Sequence, residues 1–479
     1  MTREWDTIIG LEVHVQLSTN SKLFSGAPNK FGGLANSQAN LIDLGYPGTL
    51  PVVNEEAIRM ALKLGLALKG KIPNQTTFSR KNYFYPDLPK GYQISQFNEP
   101  IISGGSLTIE TKNEEKIVHL IRAHLEEDAG KSVHLASERL TGIDLNRAGT
   151  PLIEVVTEPQ MVDAEEAVSF MKTLRELVRH LRICDGNMQE GSFRCDANIS
   201  VKRKTEEKLG TKVEIKNLNS FKFVENAINF EIKRQIEKLE AGGIIKQETR
   251  LYNEKSGETK IMRTKEDEND YRYFPDPDLI PISIDESALR ELHKENFELP
   301  LEKRKRYKKE LELNQTQSDT ILADPELTAF FDESLVYSNI NSKLLVNWVT
   351  GELMKKLNEE NIRINQANIS VKNFVALLTL IDNEKCSQND GRKIFRLIWE
   401  NNLSLGEARE IVLSGKEKFT DEDLTSIIRA VLSEHPNQVE QYLNGKEKVL
   451  GFLIGQVMQK SEGKADPKIA NEIMKKELM

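Results

Sequence analysis

The hydrophobic pattern of the chain changes near residue 300, and this change constrains the fold more than any other feature of the sequence. Before it, short alternating apolar segments, Gly/Pro turns and a few capped helices interleave without the regular spacing of strand–helix–strand units. After Pro300 the apolar residues recur only at helical spacing. We therefore predict an α+β fold with three domains: a sheet-containing domain at residues 1–295, a helical domain at 296–403 and a helical tail domain at 404–479.

Local signals predict individual elements within this plan. Helix-capping residues precede five apolar stripes: Asn54, Asp163, Ser220, Thr420 and Asp466. Alternation of apolar and polar residues predicts a bent strand or strand pair over residues 7–17. Residues 117–135 predict a hairpin, in which two apolar strands flank the sequence DAGK.

Composition excludes several classes of protein. There are 66 Lys and Arg against 74 Asp and Glu, a net charge of −8, which argues against a non-specific nucleic-acid coat or a polybasic membrane binder. The three cysteines form no CxxC pair, so we expect neither a disulfide framework nor a thiolate zinc site. No signal peptide or membrane span is evident, and we expect a soluble, cytoplasmic protein with no membrane partner. A P-loop at 130–132 is rejected, because Leu125 stands where that motif needs glycine.

Acidic and imidazole side chains recur inside strand-like apolar segments. Glu12 and His14 leave the same face of one predicted strand, and Glu154 lies between Ile153 and Val155. Buried carboxylates are costly unless they are paired, and a divalent cation such as Mg²⁺ would relieve several at once. Plain alternation offers a second interpretation, in which Glu12 and Glu154 face water on half-exposed strands.

Basic and aromatic side chains alternate in three segments of the first domain. Residues 80–96 carry Lys81 among four aromatic rings, 214–220 place Lys216 and Asn217 before a helix, and 271–279 repeat the aromatic–Arg pattern. Such surfaces suit stacking on a base and pairing with phosphate. Ordinary strand-edge aromatics and turn residues explain each segment equally well by itself. In the tail, any RNA contact would rely on a few residues such as Lys446, Lys448 and Lys460.

Seven long motifs occur in one order along the chain: GLEVHVQL, RKNYFYPDLPKGYQISQ, HLEEDAGKS, DLNRAGTPLIEVVTEP, EGSFRCDANIS, EIKNLNSF and DYRYFPDPDL. With these motifs the chain resembles the B subunits of glutamyl/aspartyl-tRNA amidotransferases, the GatB family, over its whole length. The resemblance implies that the first domain is a mixed-sheet cradle with an ATP- and Mg²⁺-binding kinase site. It also implies that the tail is a YqeY-like domain that contacts tRNA.

The resemblance also implies the reaction and its partners. ATP would phosphorylate the side-chain carboxylate of misacylated Glu-tRNA(Gln) or Asp-tRNA(Asn), and ammonia would then displace phosphate to give the amide. A GatA-type amidase subunit would supply the ammonia from glutamine, and a GatC-type small subunit would join the two. The chain would thus be part of an ATP-dependent carbon–nitrogen ligase. Two alternatives stay open: a non-catalytic tRNA-binding scaffold, and a carboxylate–amine ligase unrelated to tRNA.

Residue by residue, the resemblance assigns the site. The implied metal ligands are His14, Glu127 and Glu154. The implied catalytic residues are Lys81, Glu126, Glu190, Arg194 and Asp196. The implied nucleotide-binding residues are Glu12, Lys81, Arg147, Lys216 and Asn217. Some relatives carry a four-cysteine zinc site in the region that corresponds to 24–45, but this chain has no cysteine there, and zinc is not expected.

Overall fold

The computed structural model describes residues 4–112, 114–135, 140–264, 268–294, 298–337, 340–414, 421–446, 448–461, 465 and 467–478. The strands are β1 (Trp5–Gln16), β2 (Gln75–Thr76), β3 (Ser79–Asn82), β4 (Tyr92–Ser95), β5 (Ile102–Ser103), β6 (Ser106–Glu110), β7 (Glu115–Glu127), β8 (Lys131–Leu135), β9 (Leu140–Asp144), β10 (Pro151–Thr157), β11 (Phe193–Arg203), β12 (Val213–Leu218), β13 (Glu248–Asn253), β14 (Glu258–Thr264), β15 (Phe274–Pro275) and β16 (Ile282–Ser283).

The helices are α1 (Glu55–Ala67), α2 (Ala164–His180), α3 (Phe221–Glu240), α4 (Glu286–Lys294), α5 (Pro300–Leu311), α6 (Gln315–Leu322), α7 (Pro325–Val336), α8 (Ser342–Asn347), α9 (Met354–Glu360), α10 (Val371–Asp382), α11 (Gln388–Asn401), α12 (Leu405–Ser414), α13 (Asp421–Glu434), α14 (Pro436–Leu443), α15 (Lys448–Lys460) and α16 (Pro467–Glu477). A π-helical segment, Trp348–Leu353, joins α8 to α9, and short 3-10 turns span Glu268–Tyr271 and Ile364–Gln366.

A large mixed sheet organises the first unit of the chain. Its main path runs β14-β13-β12-β11-β1-β10-β7-β4-β3-β15, and β5 and β6 also pair with β7. β1 runs antiparallel to both of its neighbours, whereas β12 and β13 run parallel. The predicted α+β class is confirmed, with the strands in the N-terminal region and helices throughout the described residues after 300.

Alternation along β1 separates a core face from a polar face. Ile9, Leu11, Val13 and Val15 are fully buried and belong to the same apolar core as side chains of α2 and α3. The even-numbered residues leave the opposite face of the sheet. Glu12 and His14 therefore point to the face of the sheet opposite α2 and α3. This alternation explains why a strand with four fully buried apolar residues also carries charged side chains.

Three capping predictions are confirmed in the first unit. Asn54 accepts a hydrogen bond from the backbone N–H of Glu56 at the start of α1, Asp163 accepts one from Glu166 in α2, and Ser220 accepts one from Phe223 in α3. These side chains satisfy backbone donors that have no partner within the helix. The other two predicted caps, at 420 and 466, lie outside the described residues.

The predicted hairpin at 117–135 is wrong. Both strands form, but β7 pairs with β10, β4, β5 and β6, while β8 pairs with β9. The backbone N–H of Gly130 donates to the carbonyl oxygen of Asp87, outside β7, and β8 takes β9 as its partner. The DAGK segment therefore leads the chain out of the large sheet and does not return it beside β7.

The chain divides into two compact units, residues 1–325 and 326–479. Helices α5 and α6 belong to the first unit, where Arg304 of α5 lies 2.8 Å from a carboxylate oxygen of Glu176 in α2. The finer domain boundaries predicted at 295 and 403 stay a prediction. In the second unit, the helices between 421 and 477 share one apolar core, which includes Ile428, Leu453 and Met474. Among the described residues, no helix combines the length and apolar character needed to cross a membrane.

Candidate active site

Strand register places a first group of titratable side chains in one row across the sheet. His14 of β1 lies opposite Glu154 of β10 and Arg194 of β11, and Glu154 lies opposite His124 of β7. The carboxylate of Glu126, two residues beyond His124, completes the group. His14 Nε2 lies 3.5 Å from Glu126 Oε1 and 3.8 Å from Glu154 Oε2, and His124 Nε2 lies 3.2 Å from Glu154 Oε2.

The electrostatics of this first group keep both carboxylates ionised. Burial alone would raise the pKa of Glu154, but His14 and His124 hold it well below its ordinary value. Burial likewise opposes ionisation of Glu126, yet the hydrogen bond from His124 lowers its pKa. Burial disfavours the charged form of His124, but the two carboxylates outweigh it and raise its pKa to about 9.

The donor atoms of this group fit a divalent cation. One ligand atom each from His14, Glu126 and Glu154 lie within 4.8 Å of one another, close enough to contact a single ion. Mixed carboxylate and imidazole donors suit Mg²⁺ or Mn²⁺. In the part of the chain that the structure describes, no lysine or arginine forms an ion pair with either carboxylate.

A second acidic group occupies the next row of the sheet. Glu12 lies opposite Asp196, and these two carboxylates and that of Glu214 from β12 also offer ligand atoms within 4.8 Å of one another. This group already has a cation, because Lys216 Nζ lies 2.6 Å from Asp196 Oδ2 and 3.5 Å from Glu214 Oε1. Burial opposes the charge on Lys216, but these two carboxylates raise its pKa. Thr249 donates a hydrogen bond of 2.7 Å to Glu214.

Both groups line one cleft of about 460 Å³, which we call the main cleft, together with basic side chains. Arg194 is held by Asp128, with Nη2 2.7 Å from the carboxylate. The Nζ atom of Lys81 lies 4.8 Å from the ring centre of Tyr271. Burial alone would lower the pKa of Lys81, but Tyr273, Glu126 and Glu154 outweigh burial and raise this pKa. Among the described residues, neither Lys81 nor Arg122 is part of an ion pair. The main cleft therefore offers cations to an anionic ligand beside a candidate metal site.

Comparison with known proteins identifies the family. Residues 7–290 match the family model described as the GatB/GatE catalytic domain, and residues 329–478 match the GatB domain model. The chain is 50% identical over 478 residues to the B subunit of the aspartyl/glutamyl-tRNA(Asn/Gln) amidotransferase of Alkalilimnicola ehrlichii, an alignment that covers 99% of each chain. This chain belongs to the GatB family. The proteins of the same name from Thioalkalivibrio sulfidiphilus and Coxiella burnetii are 50% and 49% identical, each over 99% of this chain and the whole of theirs.

The cleft of this GatB family member gathers most of the predicted site residues. Those that line it are Glu12, His14, Lys81, Glu126, Glu154, Arg194, Asp196 and Lys216. They come from β1, β3, β7, β10, β11 and β12, so residues that are up to about two hundred positions apart meet on one face of the sheet. Their assigned roles remain predictions.

Glu127 lies apart from the first group, although the resemblance implies that it binds metal. Its buried carboxylate pairs with the ammonium group of Lys90, with Nζ 2.6 Å from Oε2, and accepts a hydrogen bond from the backbone N–H of Ile94. Alternation on β7 explains this placement, because adjacent residues leave opposite faces of a strand. Glu126, not Glu127, shares the face of His124 and approaches His14.

Three further predicted residues do not line the main cleft. Arg147 donates hydrogen bonds to the backbone carbonyls of Ala129 and Gly130 and so braces the turn after β7. Glu190 is exposed and lines a separate cleft of about 250 Å³. Asn217 has a positive φ of 71° and donates its side-chain amide to the backbone carbonyl of Tyr252.

The structure adds residues that the residue-by-residue family assignment did not include in the site. These are Arg122, His124, Asp128, Glu214, Tyr271 and Tyr273. The signal for two of them was available, since alternation puts Arg122 and His124 on the same face of β7 as Glu126. Glu214 required knowledge of the register between β11 and β12, which local patterns do not contain.

Proposed function

We propose that the main cleft carries out the ATP-dependent half of a tRNA-dependent amidotransferase reaction. In this proposal the substrate is misacylated Glu-tRNA(Gln) or Asp-tRNA(Asn), and the products are the corresponding amides on tRNA. The observation that carries the proposal is the meeting of two acidic groups and two unpaired basic side chains in one cleft. That cleft lies within the segment matching the GatB/GatE catalytic domain.

The reaction has two balanced steps. A side-chain carboxylate oxygen of the aminoacyl group attacks the γ-phosphorus of ATP, the bond to the β-phosphate oxygen breaks, and ADP leaves. The resulting acyl phosphate is attacked at its carbonyl carbon by ammonia, the carbon–oxygen bond to phosphate breaks, and the nitrogen loses a proton. The first step needs in-line positioning and positive charge around the transferring group, and no protein nucleophile.

In this proposal His14, Glu126 and Glu154 would hold Mg²⁺, which would neutralise charge on the phosphates when bound. His124 stands behind these ligands, with Nε2 3.2 Å from Glu154 Oε2 and 3.8 Å from Glu126 Oε2, as partners of metal ligands commonly do. Glu12, Asp196 and Glu214 form a second oxygen-rich group whose charge Lys216 partly offsets.

Lys81, Arg122 and Arg194 supply positive charge to the phosphates. Asp128 fixes the guanidinium of Arg194, which reduces the entropy lost when the group meets an anion. Lys81 is fully charged at neutral pH, because the surrounding carboxylates and tyrosines raise its pKa. The charge of this cluster is therefore in place before the substrate arrives, which is the condition for strong electrostatic stabilisation.

Aromatic side chains offer a site for the acceptor end of tRNA. Tyr83, Tyr271 and Tyr273 line the main cleft on the side of Lys81, and the rings of Phe97 and Tyr273 stack with centres 4.1 Å apart. Single-stranded nucleotides bind by stacking on such rings. These rings also limit the access of water to an acyl phosphate intermediate.

The proposal includes partners. As its relatives are named as one subunit of an amidotransferase, a GatA-type amidase would provide ammonia from glutamine and a GatC-type subunit would join the complex. The cysteines at 184, 195 and 386 are all buried, which disfavours a cysteine nucleophile for glutamine hydrolysis among them. We place the reaction in the cytoplasm, where aminoacyl-tRNA is used.

The test is amide formation by the heterotrimer with misacylated tRNA, ATP and ammonium chloride. Glu154→Ala is expected to abolish amide and ADP formation while tRNA affinity stays within about twofold. Glu158→Ala is the matched control, since this exposed carboxylate follows on the same stretch of chain outside the cleft. Full activity of Glu154→Ala at ordinary Mg²⁺ would refute the site. Binding of tRNA without ATP turnover by the unaltered complex would favour the scaffold, and turnover on a free amino acid would favour a ligase unrelated to tRNA.

A further inference from the structure

A network of polar side chains ties helix α3 to strands β13 and β14 at one end of the large sheet. We call it the Arg250 network; its members are Glu231, Arg234, Gln235, Glu248, Arg250 and Thr259. Five of these side chains are buried and Arg234 is half-buried, and none of the six lines the main cleft. The proposed reaction therefore makes no direct use of the four formal charges that the network places inside the sheet unit.

Arg250 is the centre of this network. Its Nε donates to the hydroxyl of Thr259 at 2.8 Å, its Nη2 donates to the backbone carbonyl of Thr259 at 2.7 Å, and its Nη1 lies 2.6 Å from Glu248 Oε1. The hydroxyl of Thr259 in turn donates to Glu231 Oε2 at 3.2 Å, and Glu231 also accepts from Arg234. A guanidinium presents its donors in a rigid fork, so one side chain joins α3, β13 and β14 in a fixed geometry.

The network lies behind the second acidic group of the main cleft. Thr249 immediately precedes Arg250 on β13, and adjacent residues leave opposite faces of a strand. Thr249 shares its face with Glu214 of β12, to which its hydroxyl donates at 2.7 Å. Arg250 points to the side of α3, where its Nε lies 3.6 Å from Glu231 Oε2. Two neighbouring residues of one strand thus connect the network to a carboxylate of the cleft.

The backbone pairing around Thr249 is short on one side and irregular on the other. β12 and β13 share three registered residue pairs, of which the first is Glu214 opposite Thr249. On the other side, the register between β13 and β14 shifts between Thr249 and Arg250. Such a β-bulge disrupts the backbone ladder locally and re-aims side chains. The position of Thr249 therefore depends on side-chain contacts, and Arg250 supplies them because it bridges β13 to Thr259 of β14 at the shift.

We propose that Arg250 is a positioning residue for the ATP-dependent step. It fixes β13 against α3 and β14, so that Thr249 holds the carboxylate of Glu214 in place beside Asp196 and Lys216. This inference rests on the proposed function. The two acids and two bases of the network cancel in formal charge, so the network fixes geometry without changing the net charge behind the cleft. Because Arg250 does not line the cleft, its effect passes through Thr249 and Glu214.

The experiment measures ADP formation by the heterotrimer with misacylated tRNA, below the unfolding temperature of every variant. Arg250→Met should lower kcat about tenfold or more, while the KM for misacylated tRNA changes by less than about twofold. Arg304→Met is the matched control. The Arg304 side chain is 13% exposed against 10% for Arg250, and it pairs with Glu176 and Asp319 of the same unit, but it does not line the cleft. Its kcat should change by less than about twofold. An unchanged kcat in Arg250→Met, or an equal loss in both variants, would overturn the proposal.

A milder pair of variants tests positioning in a protein that keeps all of its charges. Thr259→Val removes the hydroxyl that accepts from Arg250 and donates to Glu231, without a comparable change in volume. It should lower kcat about three- to tenfold, and Thr259→Ser, which keeps the hydroxyl, should restore it. These variants do not leave a buried carboxylate without its cation, so they remain informative if Arg250→Met fails to fold. An unchanged kcat in Thr259→Val would contradict the proposal.

A double variant separates positioning from general stability. Glu214→Gln removes the charge that Thr249 orients, so the contribution of Arg250 is lost together with it. Adding Arg250→Met to Glu214→Gln should therefore lower kcat by less than about twofold further. Multiplication of the two single losses would mean that the network acts independently of Glu214 and would overturn the proposal. Absence of ADP formation by the unaltered complex would instead contradict the proposed function itself.

Discussion

The two units of the chain treat buried charge in opposite ways. The sheet unit buries Lys22, Glu126, Glu127 and Glu214 among others, and several of these converge on one cleft. In the described part of the helical unit, the buried charged residue is Asp390, which bonds to the helix cap Ser387. Buried charges are costly unless they are paired. The comparison shows that the sheet unit accepts this cost both in the cleft and in buried pairs such as Lys22–Asp43, whereas the described helices of the second unit bury little charge.

Loss of charge in the main cleft should have the largest effect. Lys81→Met removes an ammonium group without a comparable change in volume, and we expect amide formation to fall about 10²–10³-fold because charge on the phosphates is no longer stabilised. Single-turnover ADP formation with the heterotrimer measures this loss. Lys393→Met makes the same chemical change on an exposed helix position of the second unit and should alter the rate little. An equal loss of rate in Lys81→Met and Lys393→Met would contradict the expectation that charge serves catalysis in the sheet unit and not at this position of the helical unit.

Removal of one partner of a buried ion pair in the sheet unit should be strongly destabilising. Lys22 and Asp43 are both buried, with Nζ 3.4 Å from Oδ2. Lys22→Met leaves Asp43 without its cation and should lower the free energy of unfolding of the sheet unit by about 3–5 kcal/mol. Lys460→Met breaks an exposed pair with Glu434 in the helical unit and should cost far less. Urea unfolding, followed by a probe in each unit, measures both, and a negligible loss in Lys22→Met would contradict the expectation.

The same lysine predicts a pH dependence. Burial lowers the pKa of Lys22 in the folded protein below its unfolded value of about 10.4. Between these two values the unfolded chain binds more protons, so the stability contributed by this site rises with pH. The difference in unfolding free energy between the unaltered protein and Lys22→Met should therefore grow as pH approaches about 10. A difference that shrinks over this range would have the wrong sign.

Thr249 should position the second acidic group. Its hydroxyl donates to Glu214 from the neighbouring parallel strand, and the side chain is fully buried. If this second group binds a second Mg²⁺, Thr249→Val should weaken the apparent affinity for Mg²⁺ in ADP formation about 10–100-fold, and Thr249→Ser should restore it. Mn²⁺ binding measured by electron paramagnetic resonance gives a readout without turnover. In the helical unit, Thr379 donates only to the backbone of Val375, so Thr379→Val should leave metal affinity unchanged.

The smallest predicted effect is in the helical unit, where charge acts at the surface. Lys446 precedes α15 and Lys448 is its first residue, and both side chains are exposed. If each contacts a phosphate of tRNA, the double alanine variant should lose several-fold in affinity and lower the slope of log affinity against log salt by about 1 per lysine. Filter binding at several salt concentrations measures the slope. Lys372→Ala is the control, and an unchanged slope in the double variant would exclude these contacts.

Local patterns predicted the fold class and the helix caps because those depend on neighbours in sequence. Asn54, Asp163 and Ser220 cap as expected. The hairpin prediction at 117–135 failed because strand pairing depends on distant segments: β7 pairs with β10 and β6, and β8 pairs with β9, which alternation within one segment does not reveal. The side chains of the cleft were found largely through family motifs. Strand alternation would have separated Glu126 from Glu127, whereas Glu214 needed the three-dimensional register.

The central claim is that His14, Glu126 and Glu154 hold a divalent ion beside the phosphates of ATP. A structure of the heterotrimer with Mn²⁺ and a non-hydrolysable ATP analogue, with anomalous data to locate the metal, tests it most directly. The account predicts a manganese ion within about 2.5 Å of His14 Nε2 and of one oxygen of each carboxylate, and also near the triphosphate. An ion bound elsewhere, with these three side chains in contact only with one another, would contradict it.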